Sequence, residues 1–531
     1  MPVLRKWLIL VHRYLGIPLS LLFVVWFASG IVMMYTGDMP RLTPELRLER
    51  RADLDLASVR LTPAEAVDRA GVWRWPGRAA LLTVMDRPAY RFDGATVFAD
   101  TGELLAPVGV AQARAVASRF SGRPEQQIRY AGTLTRPDQW TLTYGRSMPL
   151  HKFEVDDRAG TQLYVSPDSA EVAMLTTRRS RALAWMGAIP HWFYFAALRV
   201  DQPLWYRIVV WSATLGCVLA VIGLLLGVTQ FRWRRPADAR PGGGAGARIP
   251  YTGWMRWHYL TGVVFGLVTL TWVFSGLLSM EPYAWTNARG LELPRDTFTG
   301  GPIDLARFPA FDAAAWDRLT AGRGVREVEL RRIQDDPYYV VRLAPAPAAA
   351  AGRAERLHQP YYVTGRAERD RLLVAAGTLA VRERGFGVDS LLARLTAAVP
   401  EAPVVEAVLL DDYDSYYYSR GRQTPLPVLR VKLADPGETW LYIDPGLSRV
   451  LASVHRLNRV ERWLFNGLHS LDFAFWHDRR PLWDIGVIAL SLGGLASSGI
   501  GLWVGLRRMR RALGRMLPAR AAAEARRTAP S

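Results

Sequence analysis

The sequence predicts a membrane α-helical bundle of four transmembrane helices with two soluble α+β domains, arranged as an internal duplication. Three observations carry this: four lipid-length apolar blocks, clusters of positive charge beside them, and a residue pattern that occurs twice. Half of the 531 residues are hydrophobic, and they concentrate near Leu15–Tyr35, Leu204–Phe231, Leu260–Met280 and Leu482–Leu506. Each block has about the 20 residues needed to cross a hydrocarbon core of roughly 30 Å. The first is too long for the apolar region of a secretory signal and no small-residue cleavage site follows it, so it reads as a retained anchor.

The net charge of +19 would suit nucleic acid, but its location argues for the membrane. Arg5, Lys6 and Arg13 precede or open the first block. Arg232, Arg234, Arg235, Arg240 and Arg248 fill the link between the second and third, and Arg507, Arg508, Arg510, Arg511 and Arg515 follow the fourth. By the positive-inside rule these regions are cytoplasmic, which places both termini inside and the two long soluble segments outside. The expected setting is a bacterial inner membrane with periplasmic soluble domains and no nucleic-acid partner.

In chain order the expected parts are helix 1 with its cytoplasmic N-terminus (1–36), soluble domain 1 (37–180), an interfacial helix (181–203) and helix 2 (204–232). A cytoplasmic linker (233–253) leads to helix 3 (254–281), soluble domain 2 (282–458), a second interfacial helix (459–481), helix 4 (482–507) and a basic tail (508–531). The linker core, P-G-G-G-A-G-A, reads as flexible, and it lacks the strand-to-helix context of a nucleotide loop. In the soluble segments, Thr62 and Glu65 form a capping-box pattern ahead of a helix over 62–70. Residues 110–120 and 388–399 also have helical spacing of apolar positions. Alternating apolar residues around Asp, Pro and Gly turns predict antiparallel strands within 89–105, 161–175, 337–343 and 439–454.

The repeat is best seen through its histidines. Taking His12 as equivalent to His258, Gly16 matches Gly262, Trp26 matches Trp272, Ser29 matches Ser275, Gly30 matches Gly276 and Met34 matches Met280. Further on, W-M-G-A-I-P-H191-W-F-Y-F matches W-L-F-N-G-L-H469-S-L-D-F. At 100° per residue, Gly16, Trp26 and Gly30 share a helical stripe with His12, and Gly30 lies about 27 Å further along. Gly262, Trp272 and Gly276 stand in the same relation to His258. In the second and fourth blocks, Gly216/Gly494, Gly223/Gly501 and Gly227/Gly505 form another stripe, ending level with His12 and His258.

Glycine stripes commonly serve close helix packing in lipid, and a single membrane histidine can be a buried hydrogen-bonding residue. Duplicated His–Gly combinations at matching depth favour function, because ionisable groups in a membrane are costly. Imidazole suits iron, and two axial histidines complete a haem coordination sphere, leaving electron transfer as the chemistry. Depth pairs His12 with His258 on the cytoplasmic side. A continuous helix from His191 to Phe231 would be about 60 Å long, too long for one span. Breaks at Pro203 and Pro481 would therefore put His191 and His469 on short interfacial helices, paired with each other. The expectation is two bis-histidine b-type haems, with Gly16, Gly262, Gly30 and Gly276 beside the ligands. His477 aligns with Arg199, and His151, His358 and His455 lack symmetric partners, so these four read as structural or surface residues. The single cysteine, Cys217, excludes an intramolecular disulfide, a cysteine zinc site and an iron–sulfur cluster, and no C-x-x-C-H exists for covalent haem attachment.

The chain resembles the PepSY-associated transmembrane helix proteins, also called iron-regulated membrane proteins. The residues that carry the likeness are R-x6-H12-R-Y-L-G16 and W-H258-Y-L-T-G262, each opening a span that ends in W-x-x-S-G, together with G-x-x-H191 and G-L-H469. The likeness extends to about residue 515 and implies PepSY-like soluble domains. It also implies a place among haem-containing, periplasm-facing ferric-siderophore reductases. In that role the partners are the lipid bilayer, a ferric siderophore or other ferric chelate, and an electron donor that is quinol or cytoplasmic, since no flavin or nicotinamide fingerprint exists. Two alternatives stand beside it: a non-redox PepSY module that binds a protease or peptide, and an iron or siderophore transporter. The segment D411-D412-Y-D414-S-Y416-Y417-Y418 is either a docking site for a ferric chelate or a solvated turn.

Overall fold

The computed structural model describes residues 2–72, 76–231, 248–282, 290–344, 370–418, 424–477 and 479–527. The chain divides into two units, one made of residues 1–38, 183–287 and 460–531, the other of 39–182 and 288–459. The flexible linker expected at 233–253 falls largely outside the described residues, and His358 lies outside them entirely.

Among the described residues the first unit contains four helices long and apolar enough to span a membrane. They are α1 (Pro2–Thr36), α2 (Gln202–Gln230), α3 (Gly253–Leu278) and α4 (Leu482–Arg527). α4 runs past the expected boundary at 507 into the basic tail, where Arg, Ala, Leu and Met are good helix formers and the helix continues through Pro518. Helix α1 packs on α2 and α4, and α3 packs on α2 and α4. Their shared core includes Leu19, Phe23, Phe27, Ala213, Leu219, Val273 and Leu277. Leu21, Leu215, Val218, Val264, Leu267 and Leu492 are exposed on the same helices, as residues facing lipid would be. Glycines let the helices approach closely: Gly216 sits against Phe23, and Gly494 against Phe27.

Pro203 occupies the first turn of α2, where it lacks no hydrogen bond, and Asp201 caps that turn by accepting from the Leu204 amide. The chain before each of α2 and α4 is broken into short pieces, not the single interfacial helices expected at 181–203 and 459–481. His191 lies on Ala188–Trp192, which ends at Phe193 in a left-handed conformation. His469 lies on Leu468–Ser470, directly after a π-helical turn at Trp463–Gly467 and before Leu471, also left-handed.

Among the described residues the second unit holds three antiparallel sheets built from fourteen strands. Strands β1 (Ala79–Val84), β2 (Arg87–Phe92) and β3 (Ala95–Phe98) come from the first half. So do β4 (Ile128–Leu134), β5 (Leu150–Val155), β6 (Gln162–Ser166) and β7 (Glu171–Thr176). The second half supplies β8 (Val325–Ile333), β9 (Asp336–Leu343) and β10 (Arg371–Ala375). It also supplies β11 (Val404–Leu410), β12 (Val428–Leu433), β13 (Trp440–Asp444) and β14 (Arg449–Val454).

The two halves share a six-stranded sheet of order β10-β9-β8-β1-β2-β3, joined where Leu81 pairs with Val328. Segments 37–180 and 282–458 are therefore one sheet-linked body, not two independent domains. Each half adds its own four-stranded sheet, β4-β5-β6-β7 and β11-β12-β13-β14. Period-two alternation explains how the shared sheet is covered on both faces. Leu81, Tyr90, Val328 and Tyr339 pack with Ala66, Val67 and Trp316 in one core. Leu82 and Ala89 point into a second core with Ala113 and Phe153, while Val340 and Leu373 enter a third with Leu391 and Leu441.

The expected helices form at Pro63–Ala70, Val110–Ser121 and Val388–Ala398. The first carries the capping box read from Thr62 and Glu65.

Candidate functional site

The four membrane histidines meet in two facing pairs. The ring centres of His12 and His258 are 6.3 Å apart, and those of His191 and His469 are 6.2 Å apart. Each pair takes one histidine from each half of the sequence. His12 sits near the start of α1, whereas His191 packs on Gly30, eighteen residues on, so roughly 27 Å of helix separates the two levels.

Local structure fixes each imidazole. The short helix carrying His191 is tied to α2 by the Trp205 indole, which donates to the Trp192 carbonyl at 2.8 Å. Its counterpart Trp483 donates to the Ser470 carbonyl at 3.1 Å. Ring atoms then find their own partners: His191 Nδ1 lies 3.0 Å from Ser29 Oγ, and His469 Nδ1 lies 3.0 Å from Ser275 Oγ and 3.2 Å from the Trp272 carbonyl. His258 Nδ1 lies 3.2 Å from the Ser497 carbonyl. His12 Nδ1 turns to the carbonyl of Leu219, the residue equivalent to Ser497 in the other half, but falls short of good hydrogen-bond geometry and stays buried without a close partner.

A carbonyl can only accept, so the proton of His258 and of His469 must sit on Nδ1. That tautomer leaves the Nε2 lone pair available to a metal, as second-shell partners of ligating histidines commonly arrange. No hydrogen bond engages Nε2 of any of the four among the described residues.

Glycine backbones lie against the rings. A Cβ at Gly223 would stand 2.9 Å from His12 Cε1, and one at Gly501 would stand 2.9 Å from His258 Cε1. At Gly30 and Gly276 the distances to His191 and His469 Cε1 would be 3.5 and 3.6 Å. Gly16 and Gly262 do not touch the histidines through such an atom; their nearest neighbours are Leu219 and Ser497 at 3.7 Å. They line a cavity of about 300 Å³ around His12 and His258, with Arg13, Tyr251, Tyr259 and Arg508.

These features can be tested against haem. Two imidazoles on opposite sides of one iron, each with a metal–nitrogen bond of about 2.0 Å, put their ring centres roughly 6.3 Å apart. Both pairs have that spacing. Among the described residues no group of three or more His, Cys, Asp or Glu is placed to hold a metal ion. The bare glycine backbone, the neutral tautomers and the orphaned His12 Nδ1 also fit. The residues present are compatible with the group.

Sequence reasoning left two sets of residues without a site role. Gly223 and Gly501 belong to the glycine stripe whose end is level with His12 and His258, and Ser29 and Ser275 match as repeat partners. The signal was their equivalence across the repeat, but only the fold brings them onto the imidazoles.

Among the described residues the three remaining histidines have structural contacts. His477 packs on Trp483 at 5.0 Å between ring centres, as Arg199 packs over Trp205 at 4.4 Å. His151 is held between Thr133 Oγ1 and the Val108 carbonyl. His455 Nδ1 accepts from the Leu457 and Asn458 amides.

In the acidic, tyrosine-rich segment, Asp414 accepts from Tyr442 Oη and Arg430 at 2.9 Å and from the Tyr416 and Tyr417 amides. Tyr417 stacks on Tyr442. Burial, then the Asp414 charge, push the Tyr442 phenol far above its usual range. The first half repeats this with Asp138, Tyr164 and Lys152. These carboxylates hold the sheet face together.

The fold and site thus define a polytopic membrane protein with two facing histidine pairs and a soluble sheet body. The chain belongs to the family described as PepSY-associated TM region, which matches residues 9–359. No curated protein matches it.

Proposed function

We infer that the protein is a di-haem b oxidoreductase of a bacterial inner membrane that passes electrons across the bilayer to a ferric siderophore or similar chelate. The observation that carries this reading is the spacing of the two histidine pairs at 6.3 and 6.2 Å on opposite ends of one helix bundle. His12 and His258 would hold one haem, and His191 and His469 the other, each through Nε2. When bound, each haem supplies a reversible one-electron couple at its site.

The protein's own residues bind, orient and insulate. Nδ1 partners set the tautomer, and glycines 16, 30, 223, 262, 276 and 501 give flat walls. Arg13 and Arg508 would offer cations to anionic substituents at the first pair. Between the levels, Trp26 stacks on Phe23 and Trp272 packs on Phe27, at 6.0 and 5.7 Å, so aromatic rings stand where electrons would pass. The arginine-rich regions beside the spans support cytoplasmic termini and a periplasmic soluble body. Quinol or a cytoplasmic reductant would feed the first pair.

An absorption spectrum of the purified protein, oxidised and dithionite-reduced, tests the reading. Low-spin b-type bands that sharpen on reduction are expected; their absence overturns it. Reoxidation of the reduced sample by a ferric chelate tests the acceptor, and inertness to every ferric chelate tried would leave electron transfer with a different acceptor.

A further inference from the structure

The two pairs agree in spacing and differ in twist. The ring planes of His12 and His258 are 36° apart, whereas those of His191 and His469 are 74° apart. Their hydrogen-bond partners differ along with the angle. At the second pair each Nδ1 faces a serine hydroxyl at 3.0 Å, with the Trp272 carbonyl also 3.2 Å from that of His469; at the first pair no serine hydroxyl does so, His258 Nδ1 facing the Ser497 carbonyl and His12 Nδ1 having no close partner.

Ser29 and Ser275 are 2% and 0% exposed. Each has a carbonyl of its own helix to take its hydroxyl hydrogen: Ser29 has that of Val25 at 2.6 Å, and Ser275 that of Trp272 at 3.0 Å. With the hydrogen engaged there, each Oγ accepts from Nδ1–H of the facing histidine. An acceptor anchored to a helix backbone restricts rotation of the ring about its metal bond.

We propose that Ser29 and Ser275 are positioning residues that hold the imidazole planes of the second pair near perpendicular, making that site the more easily reduced of the two. The inference rests on the haem reading of the pairs. A planar imidazole donates π density into the iron d orbital perpendicular to its ring. Two rings close to parallel load one such orbital, which rises and accommodates the hole of the ferric state. Crossed rings load both orbitals equally, so the ferric state loses that stabilisation and the potential rises. Hydrogen bonding and ligand orientation are among the protein's levers on such a centre. One electron leaving the first site, oxidised from Fe(II) to Fe(III), would then move downhill to the second, reduced from Fe(III) to Fe(II).

Electron paramagnetic resonance and a potentiometric titration of the full-length haem-loaded protein test this. Two low-spin ferric signals are expected. The one with the larger maximal g value should vanish in His191→Ala, survive in His12→Ala, and belong to the higher-potential centre. Ser29→Ala and Ser275→Ala should each shift that g value toward the other signal and lower that potential, without moving the first site. Two identical signals in the unsubstituted protein would overturn the proposal, as would loss of the larger-g signal with His12. Serine variants with unchanged g values and potentials would overturn it too. A protein without any haem overturns the haem reading itself, which the absorption spectrum registers separately.

Discussion

At the residue scale, the site depends on where a side chain is missing. A methyl group at Gly223 or Gly501 would come 2.9 Å from an imidazole carbon, tighter than ordinary contact, so the ring or the helix must shift. Gly223→Ala and Gly501→Ala should therefore disturb the His12–His258 centre and leave the other intact. Gly30→Ala, with 3.5 Å to His191, should be tolerated. Haem content per protein, with spectra resolving the two centres, checks the contrast; equal losses from all three variants would reject it. Histidine variants give the companion result. His258→Ala should remove the same centre as His12→Ala, and His469→Ala the same centre as His191→Ala. A variant that removes the wrong centre breaks the pairing.

At the element scale, two tryptophans hold the short histidine-bearing helices in place. Trp205→Phe and Trp483→Phe keep most of the packing and delete one indole N–H donor each, shared between the Ser470 and Leu471 carbonyls in the case of Trp483, a loss of about 1 kcal/mol. Both should loosen the His191–His469 centre, seen as broadened spectra and faster haem loss, with the first centre unaffected. This scale also shows how far the sequence could be read. The spans, the capped helix after Thr62 and the histidine equivalences were legible because hydropathy, caps and repeats are local signals. The strands β1 and β8 were not, since their pairing joins residues nearly 250 positions apart and nothing local encodes it. The interruption near His469 was also hidden: a π-helical turn has no apolar period of its own. The serines were visible as matched letters, but their contact with imidazole needed the third dimension.

At the scale of the whole molecule, the two halves complete one another. Each pair takes one histidine per half, and the central sheet is split at β1 and β8. A chain ending near residue 240 should bind no haem at either site, while co-expression with the remainder should restore both; haem bound by the first half alone would contradict this. Charge also ties the soluble unit together across the halves. Arg51 bridges Glu171 and Glu327, and Arg91 adds to Glu171. Burial raises the Glu171 pKa, yet Arg91 and Arg51 outweigh it and hold the carboxylate below its ordinary range. A depressed carboxylate contributes stability above its unfolded pKa of about 4.3, and that contribution fades as pH falls through the lower folded value. Glu171→Gln should cost about 3 kcal/mol at neutral pH and flatten the acid limb. Denaturant unfolding of the full chain across pH measures both, and an unchanged acid limb would count against the cluster.

The split sheet also sets a timetable. Translation at about 5–20 residues per second delivers β1 long before β8, so its hydrogen-bonding edge waits on the order of 10–50 s for a partner. His258 reaches the ribosome exit well ahead of His469, and His12 can be matched while His191 still stands alone. Completion of the second pair is thereby tied to the last stretch of synthesis. A ribosome stalled before residue 469 would carry a nascent chain able to close only one of the two histidine pairs.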